Sequence, residues 1–135
     1  MNTFYLKVIA SDRTFFSGKC SAVTVPAPDG EVGIMAHHEN MVAAITMGEM
    51  RITDEEGKVI TAFVGTGFAQ MMNNRVTVLV ETAELPEEID IRRAEEAKIR
   101  AEEQLRQKQS IQEYHHSQAS LARAMSRLKV TSKYI

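Results

Sequence analysis

The chain has 135 residues, of which 44% are hydrophobic and 25% charged, with a formal net charge of −2. That length fits one ordinary domain, or a small domain with an appendage, and the charge removes any bulk electrostatic case for nucleic-acid binding. Cys20 is the single cysteine, so no internal disulfide can form and a reducing compartment is expected.

The opening MNTFYLKVIA lacks the basic region and long apolar run of a signal peptide. No apolar run approaches the roughly 20 residues a membrane helix needs. Any membrane association is therefore expected to go through partner proteins.

Up to about residue 84 the pattern has a period of two. Phe4, Leu6 and Val8 alternate with Tyr5, Lys7 and Ile9; Val59, Thr61 and Phe63 alternate with Ile60, Ala62 and Val64; Val76, Val78 and Val80 share one face of a third run. Alternation rich in β-branched residues predicts strands. Turn signals punctuate them at Ser17-Gly18, Pro28-Asp29-Gly30, Asp54-Glu55-Glu56-Gly57 and Asn73-Asn74. Eight to ten short strands, at the spacing of such turns, predict a small sandwich or barrel. The clearest hairpin pairs 49–54 with 58–64.

Beyond residue 85 the chemistry changes. Asp90 to Tyr134 contains no Gly or Pro and is rich in good helix formers. Pro86 marks a loop, and Asp90 is a candidate N-cap. Ala94, Ala97, Ala101 and Leu105 recur at helical steps, and so do Leu121, Ala122, Met125 and Leu128. A break is expected over Lys108–Tyr114, giving an antiparallel two-helix hairpin. Its seam is mostly alanine, which buries little area, so the hairpin needs the sandwich, a ligand or a partner to hold it. The class is therefore α+β, with a domain over 1–84 and a hairpin over 85–135.

Charge divides at the same place. Residues 1–84 carry 6 Lys/Arg and 10 Asp/Glu, whereas 85–135 carry 10 and 8. The second helix concentrates Arg123, Arg127, Lys129 and Lys133, which suits an acidic surface or a phosphate. Composition alone favours a solvated face instead, since cations are favoured near a helix C-terminus. Catalytic signatures are missing. Gly65-Thr66-Gly67 is too short for a phosphate loop. His37-His38 and His115-His116 are adjacent pairs whose side chains diverge. Cys20 reads as a small buried residue.

Four segments in order carry a family resemblance: LKVIASDRTFFSG at 6–18, DGEVGIMAHHENMVAAI at 29–45, FVGTGFAQMMNNRVTVLVETAE at 63–84 and SLARAMSRLKV at 120–130. Together they resemble the epsilon subunit of bacterial F-type ATP synthases. The resemblance implies a flattened ten-stranded β sandwich followed by a helical hairpin. It implies a place in the rotor's central stalk, on the gamma subunit and the c-ring, at the cytoplasmic face of the cell membrane, coupling proton flow to ATP synthesis. It also implies a hairpin that inhibits hydrolysis by extending toward the alpha and beta subunits, and no catalytic role of its own. Glu31 and His38 fall where the family meets the c-ring. One departure stands there: the family pattern Pro-Gly-His-any-Pro is replaced by Ala36-His37-His38-Glu39-Asn40, so only His38 matches.

Some bacterial members bind ATP through a motif of Ile-Asp, two free positions, then Arg-Ala. Ile89, Asp90, Arg93 and Ala94 match it, and Glu84, Arg100, Arg123 and Arg127 stand at the family's other ATP contacts. Spacing agrees with a shared site. Arg93 and Arg100 are seven apart and Arg123 and Arg127 four apart, so each pair shares a helix face. Guanidinium forks suit phosphate oxygens, Glu84 and Asp90 can accept from ribose or adenine, and Ile89 and Ala94 are expected to leave room for a flat ring. ATP would then favour the folded hairpin. Three alternatives remain. One is a structural stalk adaptor without nucleotide sensing, its arginines paired with Glu95, Glu96, Glu102 and Glu103. The others are a small binding enzyme using the sandwich as a pocket, and a nucleic-acid binder.

Overall fold

The computed structural model describes residues 2–106 and 111–134. The chain forms two compact units, Met1–Leu85 and Pro86–Ile135.

The first unit holds nine strands among the described residues: β1 (Phe4–Ile9), β2 (Thr14–Ala27), β3 (Gly30–Met35), β4 (Met41–Ile45), β5 (Gly48–Asp54), β6 (Val59–Val64), β7 (Gly67–Met72), β8 (Arg75–Val80) and β9 (Ala83–Glu84). Hydrogen-bonded neighbours run β4-β7-β8-β1-β2-β5-β6-β9, with β3 also on β2. The 14-residue β2 explains why nine strands make the sandwich for which the resemblance implies ten. Its first half pairs with β1, through Phe4↔Cys20 to Val8↔Phe16. Its second half pairs with β3 and β5, through Val23↔Ile34 and Val23↔Ile52. A register shift between Cys20 and Ala22 marks the passage, where a bulge bends a strand and increases its twist. One strand thus serves both layers.

The alternation works as the residues demand. Phe4, Leu6 and Val8 of β1, Val76 and Val78 of β8, Val23 and Val25 of β2, and Met50 and Ile52 of β5 are buried in one core. Their outward neighbours stay wet because a strand's side chains point alternately to its two faces. β6 departs from this: Ala62, Phe63 and Val64 are all buried. The expected hairpin is β5–β6, paired from Gly48↔Val64 to Thr53↔Val59. Asp54 Oδ1 closes its turn, accepting from the Glu56 and Lys58 N–H groups at 2.9 Å each.

The second unit begins with a 3-10 turn at Pro86–Glu88, followed by α1 (Ile91–Arg106) and α2 (Ile111–Tyr134). Asp90 is the N-cap: its Oδ1 accepts from the Arg93 N–H at 3.1 Å and its carbonyl from the Ala94 N–H at 3.0 Å. Of the break expected over Lys108–Tyr114, residues 108–110 lie outside the described residues, while Ile111–Tyr114 belong to α2. Gln, Tyr and His lower helix propensity only slightly, too little to stop a helix. Ala94, Ala101, Ser117, Ala124 and Thr131 are buried along the two helices, and the Ser117 hydroxyl reaches Gln104 Oε1 at 3.1 Å.

Candidate functional site

The motif residues of the hairpin occupy two kinds of environment. Arg93 and Arg100 are exposed, and Arg123 and Arg127 half-buried. Ile89 and Ala94 are 8% and 6% exposed, so the room they are expected to leave is taken up by packing. Asp90 caps α1 through one oxygen. A carboxylate has about four lone-pair sites, so capping leaves acceptor capacity for a ligand hydroxyl. Arg123 Nη2 donates to Ser120 Oγ at 3.3 Å. The ion pairs Arg92–Glu96 (3.2 Å) and Lys98–Glu102 (4.0 Å) engage two of the glutamates considered as partners, and neither involves Arg93 or Arg100. Glu84 belongs to the first unit, in β9, where it sits opposite Phe63.

Helical geometry assigns sides. Successive residues are about 100° apart and rise about 1.5 Å. Measured from buried Ala94, Arg93 and Arg100 lie about 100–120° to one side and Ile91 about 60° to the other. Measured from buried Ala124, Arg123 and Arg127 lie about 60–100° to one side, and Leu128 and Met125 about 40–100° to the other. In an antiparallel pair, offsets of the same sign fall on the same side. The four arginines therefore share one side of the hairpin. The opposite side carries a groove of about 450 Å³ whose walls include Ile91, Met125 and Leu128.

In the β unit, Glu31 and His38 are held by neighbours. Glu31 Oε2 lies 2.7 Å from Arg51 Nη2, and Arg51 Nη1 lies 3.3 Å from Glu49 Oε1. Burial works to lower the Arg51 pKa, and the hydrogen bonds it donates to Glu49 and Glu31 more than reverse it, so the guanidinium charge is secured. His38 is half-buried in the loop after β3, with its ring Nδ1 2.9 Å from the Glu39 carbonyl oxygen. The loop around it is stitched to the β7–β8 turn. The His37 N–H donates to Asn74 Oδ1 at 2.7 Å, and the Asn73 N–H donates to Asn40 Oδ1 at 3.1 Å. His37, Asn73 and Asn74 all have positive φ, at 63°, 51° and 61°.

Residues set aside on sequence grounds have structural explanations. Cys20 is buried in β2, and burial raises its thiol pKa to about 12, against a smaller opposing effect of a hydrogen bond with the Ala22 backbone. Such a thiol is a poor nucleophile, because the thiolate is the reactive form. Gly67 stands where a Cβ would fall onto the Leu79 carbonyl oxygen of β8, so this glycine permits close strand approach.

Two family models tile the chain. The beta-sandwich domain of the ATP synthase delta/epsilon chain matches residues 3–86, and the long alpha-helix domain of the same chain matches residues 87–132. The chain belongs to the ATP synthase epsilon-chain family. An ATP synthase epsilon chain of Ruminiclostridium cellulolyticum is 49% identical over 98% of this chain and 98% of its own length. Another from Caldanaerobacter subterraneus subsp. tengcongensis is 42% identical, covering 98% of this chain and 96% of the relative. Among solved structures, a chain in the mitochondrial ATP synthase of Euglena gracilis superposes with a TM-score of 0.81 at 22% identity, covering 93% of this chain and 79% of that one. At that identity it shows a common fold.

Within this epsilon-chain fold, the departure at 36–40 gains a physical account. In the pattern that the resemblance supplies, His37 falls at the glycine, and it holds the left-handed backbone that glycine adopts freely. Asn40 falls at the last proline of that pattern and supplies the acceptor for the Asn73 N–H, which a proline side chain cannot do. Asn40 and Asn74 are the residues that sequence reasoning missed. The pointer to them was a histidine at a glycine position, with an Asn-Asn turn to be placed.

Proposed function

We propose that the chain is the non-catalytic epsilon subunit of an F-type ATP synthase, working in the central stalk of the rotor. Its β unit binds the gamma subunit and the c-ring, with Glu31 and His38 at the ring contact, and helps couple proton translocation to ATP synthesis. It is a peripheral component at the cytoplasmic face of the bacterial cell membrane, held there through the complex; no helix among the described residues is long and apolar enough to cross a membrane. The family matches over both units support this reading.

The hairpin is a regulatory ATP site. The observation that carries this is the sharing of one hairpin side by Arg93, Arg100, Arg123 and Arg127. Guanidinium forks suit phosphate oxygens, and a triphosphate offers oxygens to several of them at once. Asp90 keeps acceptor capacity beyond its cap, and Ile89 and Ala94 act as packed floor. ATP is a regulatory ligand in this scheme and is not turned over. It favours the closed hairpin. When ATP falls, the thin seam opens, and the basic α2 reaches the alpha and beta subunits and inhibits hydrolysis. A ligand at 100 times its Kd stabilises its bound state by about 2.7 kcal/mol, which is enough to bias a marginal hairpin.

Calorimetric titration of the full chain with ATP tests this. Wild type should bind one ATP, and an Arg93→Ala, Arg127→Ala double variant should bind at least about tenfold more weakly. Equal binding by both removes the site. A second reading, a structural adaptor without nucleotide sensing, draws on the burial of Ile89 and Ala94 and on the groove lying away from the arginines. Absence of ATP binding by wild type would select it.

A further inference from the structure

The groove on the hairpin is not explained by nucleotide binding. Its walls come from both helices, with Ile91 on α1 facing Met125 and Leu128 on α2. Ile91 and Met125 are 42% and 50% exposed, which leaves apolar surface open to solvent. A volume of about 450 Å³ falls in the range of small-molecule sites, which are mostly apolar with a few polar groups that fix orientation.

Thr131 supplies such a group. It lines the groove, is 3% exposed, and its Oγ1 has no hydrogen-bond partner. A buried hydroxyl left unpaired is a standing penalty that a bound partner would remove. The charges at the groove are asymmetric. Lys98 on α1 and Lys129 on α2 both line it, against the single carboxylate of Glu95. Lys98 meets Glu102 only at 4.0 Å, the outer limit of an ion pair, so its ammonium has capacity for another anion.

We propose that this groove binds a small anionic amphiphile: an apolar body laid on Ile91, Met125 and Leu128, and one carboxylate head between the two lysines, accepting from Thr131. A ligand touching both helices holds the hairpin closed, because it binds the closed state and not the open one. No step is chemical. The site shares no residue with the proposed nucleotide site, so either can fail alone.

The test is calorimetry on the full chain with decanoate, decanol and decyltrimethylammonium, all below their aggregation concentrations. Wild type should bind one decanoate saturably, at least about tenfold more tightly than either of the other probes. A Lys98→Gln, Lys129→Gln double variant should lose about tenfold in decanoate affinity. Thr131→Val should raise the denaturation midpoint of the unliganded hairpin while weakening decanoate binding. The Arg93→Ala, Arg127→Ala double variant should bind decanoate as wild type does. Non-saturable binding, equal binding of the three probes, wild-type affinity in the lysine variant, or loss of binding in the arginine variant would each overturn the proposal.

Discussion

The interior of the β unit is filled by Phe4, Leu6, Ile34, Met50, Ile52 and Met71, whereas Ala94, Ala101 and Ala124 are buried along the hairpin beside Ser117 and Thr131. Large side chains remove much apolar surface from water, and each methyl of alanine removes little. The β unit therefore gains more from burial than the hairpin does. The hairpin buries fewer large side chains, chiefly Ile89 and Val130, and adds polar contacts such as Ser117 to Gln104. Stabilisation of two or three kcal/mol from a ligand would hardly change the first, yet it can decide the state of the second.

The largest effect expected from this contrast is in the frame. Leu6→Ala should cost about 2–5 kcal/mol, read as lost hydrogen-exchange protection in β1 and β8 with hairpin amides unchanged. Equal losses in both units would break the contrast, since the units would then open together.

A smaller effect comes from Cys20. Its thiol titrates near 12 when folded, against an ordinary value of 9.0. Above pH 9 the unfolded chain ionises first and binds fewer protons than the folded one, so stability falls as pH rises toward 12. The slope is at most about 1.4 kcal/mol per pH unit. The stability of wild type relative to Cys20→Ala, from urea titrations, should be flat below pH 8 and fall above pH 9. A flat difference throughout would mean that the thiol is not sealed in the frame.

The smallest effect belongs to the hairpin. Asp90→Ala removes the cap of α1 and should cost about 1 kcal/mol, seen as reduced helical ellipticity at 222 nm with the β unit intact. A loss of that size should be visible if the alanine seam contributes as little as its area implies. An unchanged helical signal would show a seam stronger than its alanines imply.

Much of this architecture was legible in the sequence because its signals are local. Phe4, Leu6 and Val8 announce a strand by alternation, and Asp90 announces a helix start by its chemistry and position. What the sequence did not disclose is non-local. A single strand can serve two layers only through partners distant in the chain, so β2 looks like two strands. Ile89 and Ala94 look small or apolar enough to leave space, but which surfaces fill that space depends on tertiary packing. Arg93, Arg100, Arg123 and Arg127 could be sorted onto helix faces from their spacing. Nothing in the spacing disclosed that the opposite side would hold a groove with Thr131 unpaired within it.

The stitched ends of the β unit carry a consequence for how this chain can be altered. Asn40 and Asn73 are 33 residues apart, as far as sequence order goes unrelated, yet one side chain serves the other's backbone. A loop transplanted from a relative with glycine and prolines at 36–40 would take away the acceptor at position 40 and leave the Asn73 N–H to find another. Asn74 would meanwhile keep its bond to the Thr3 carbonyl, made through Nδ2 at 3.0 Å. The two tips therefore behave as a single structural unit, and grafts that respect only the linear boundaries of the loop will exchange half of it.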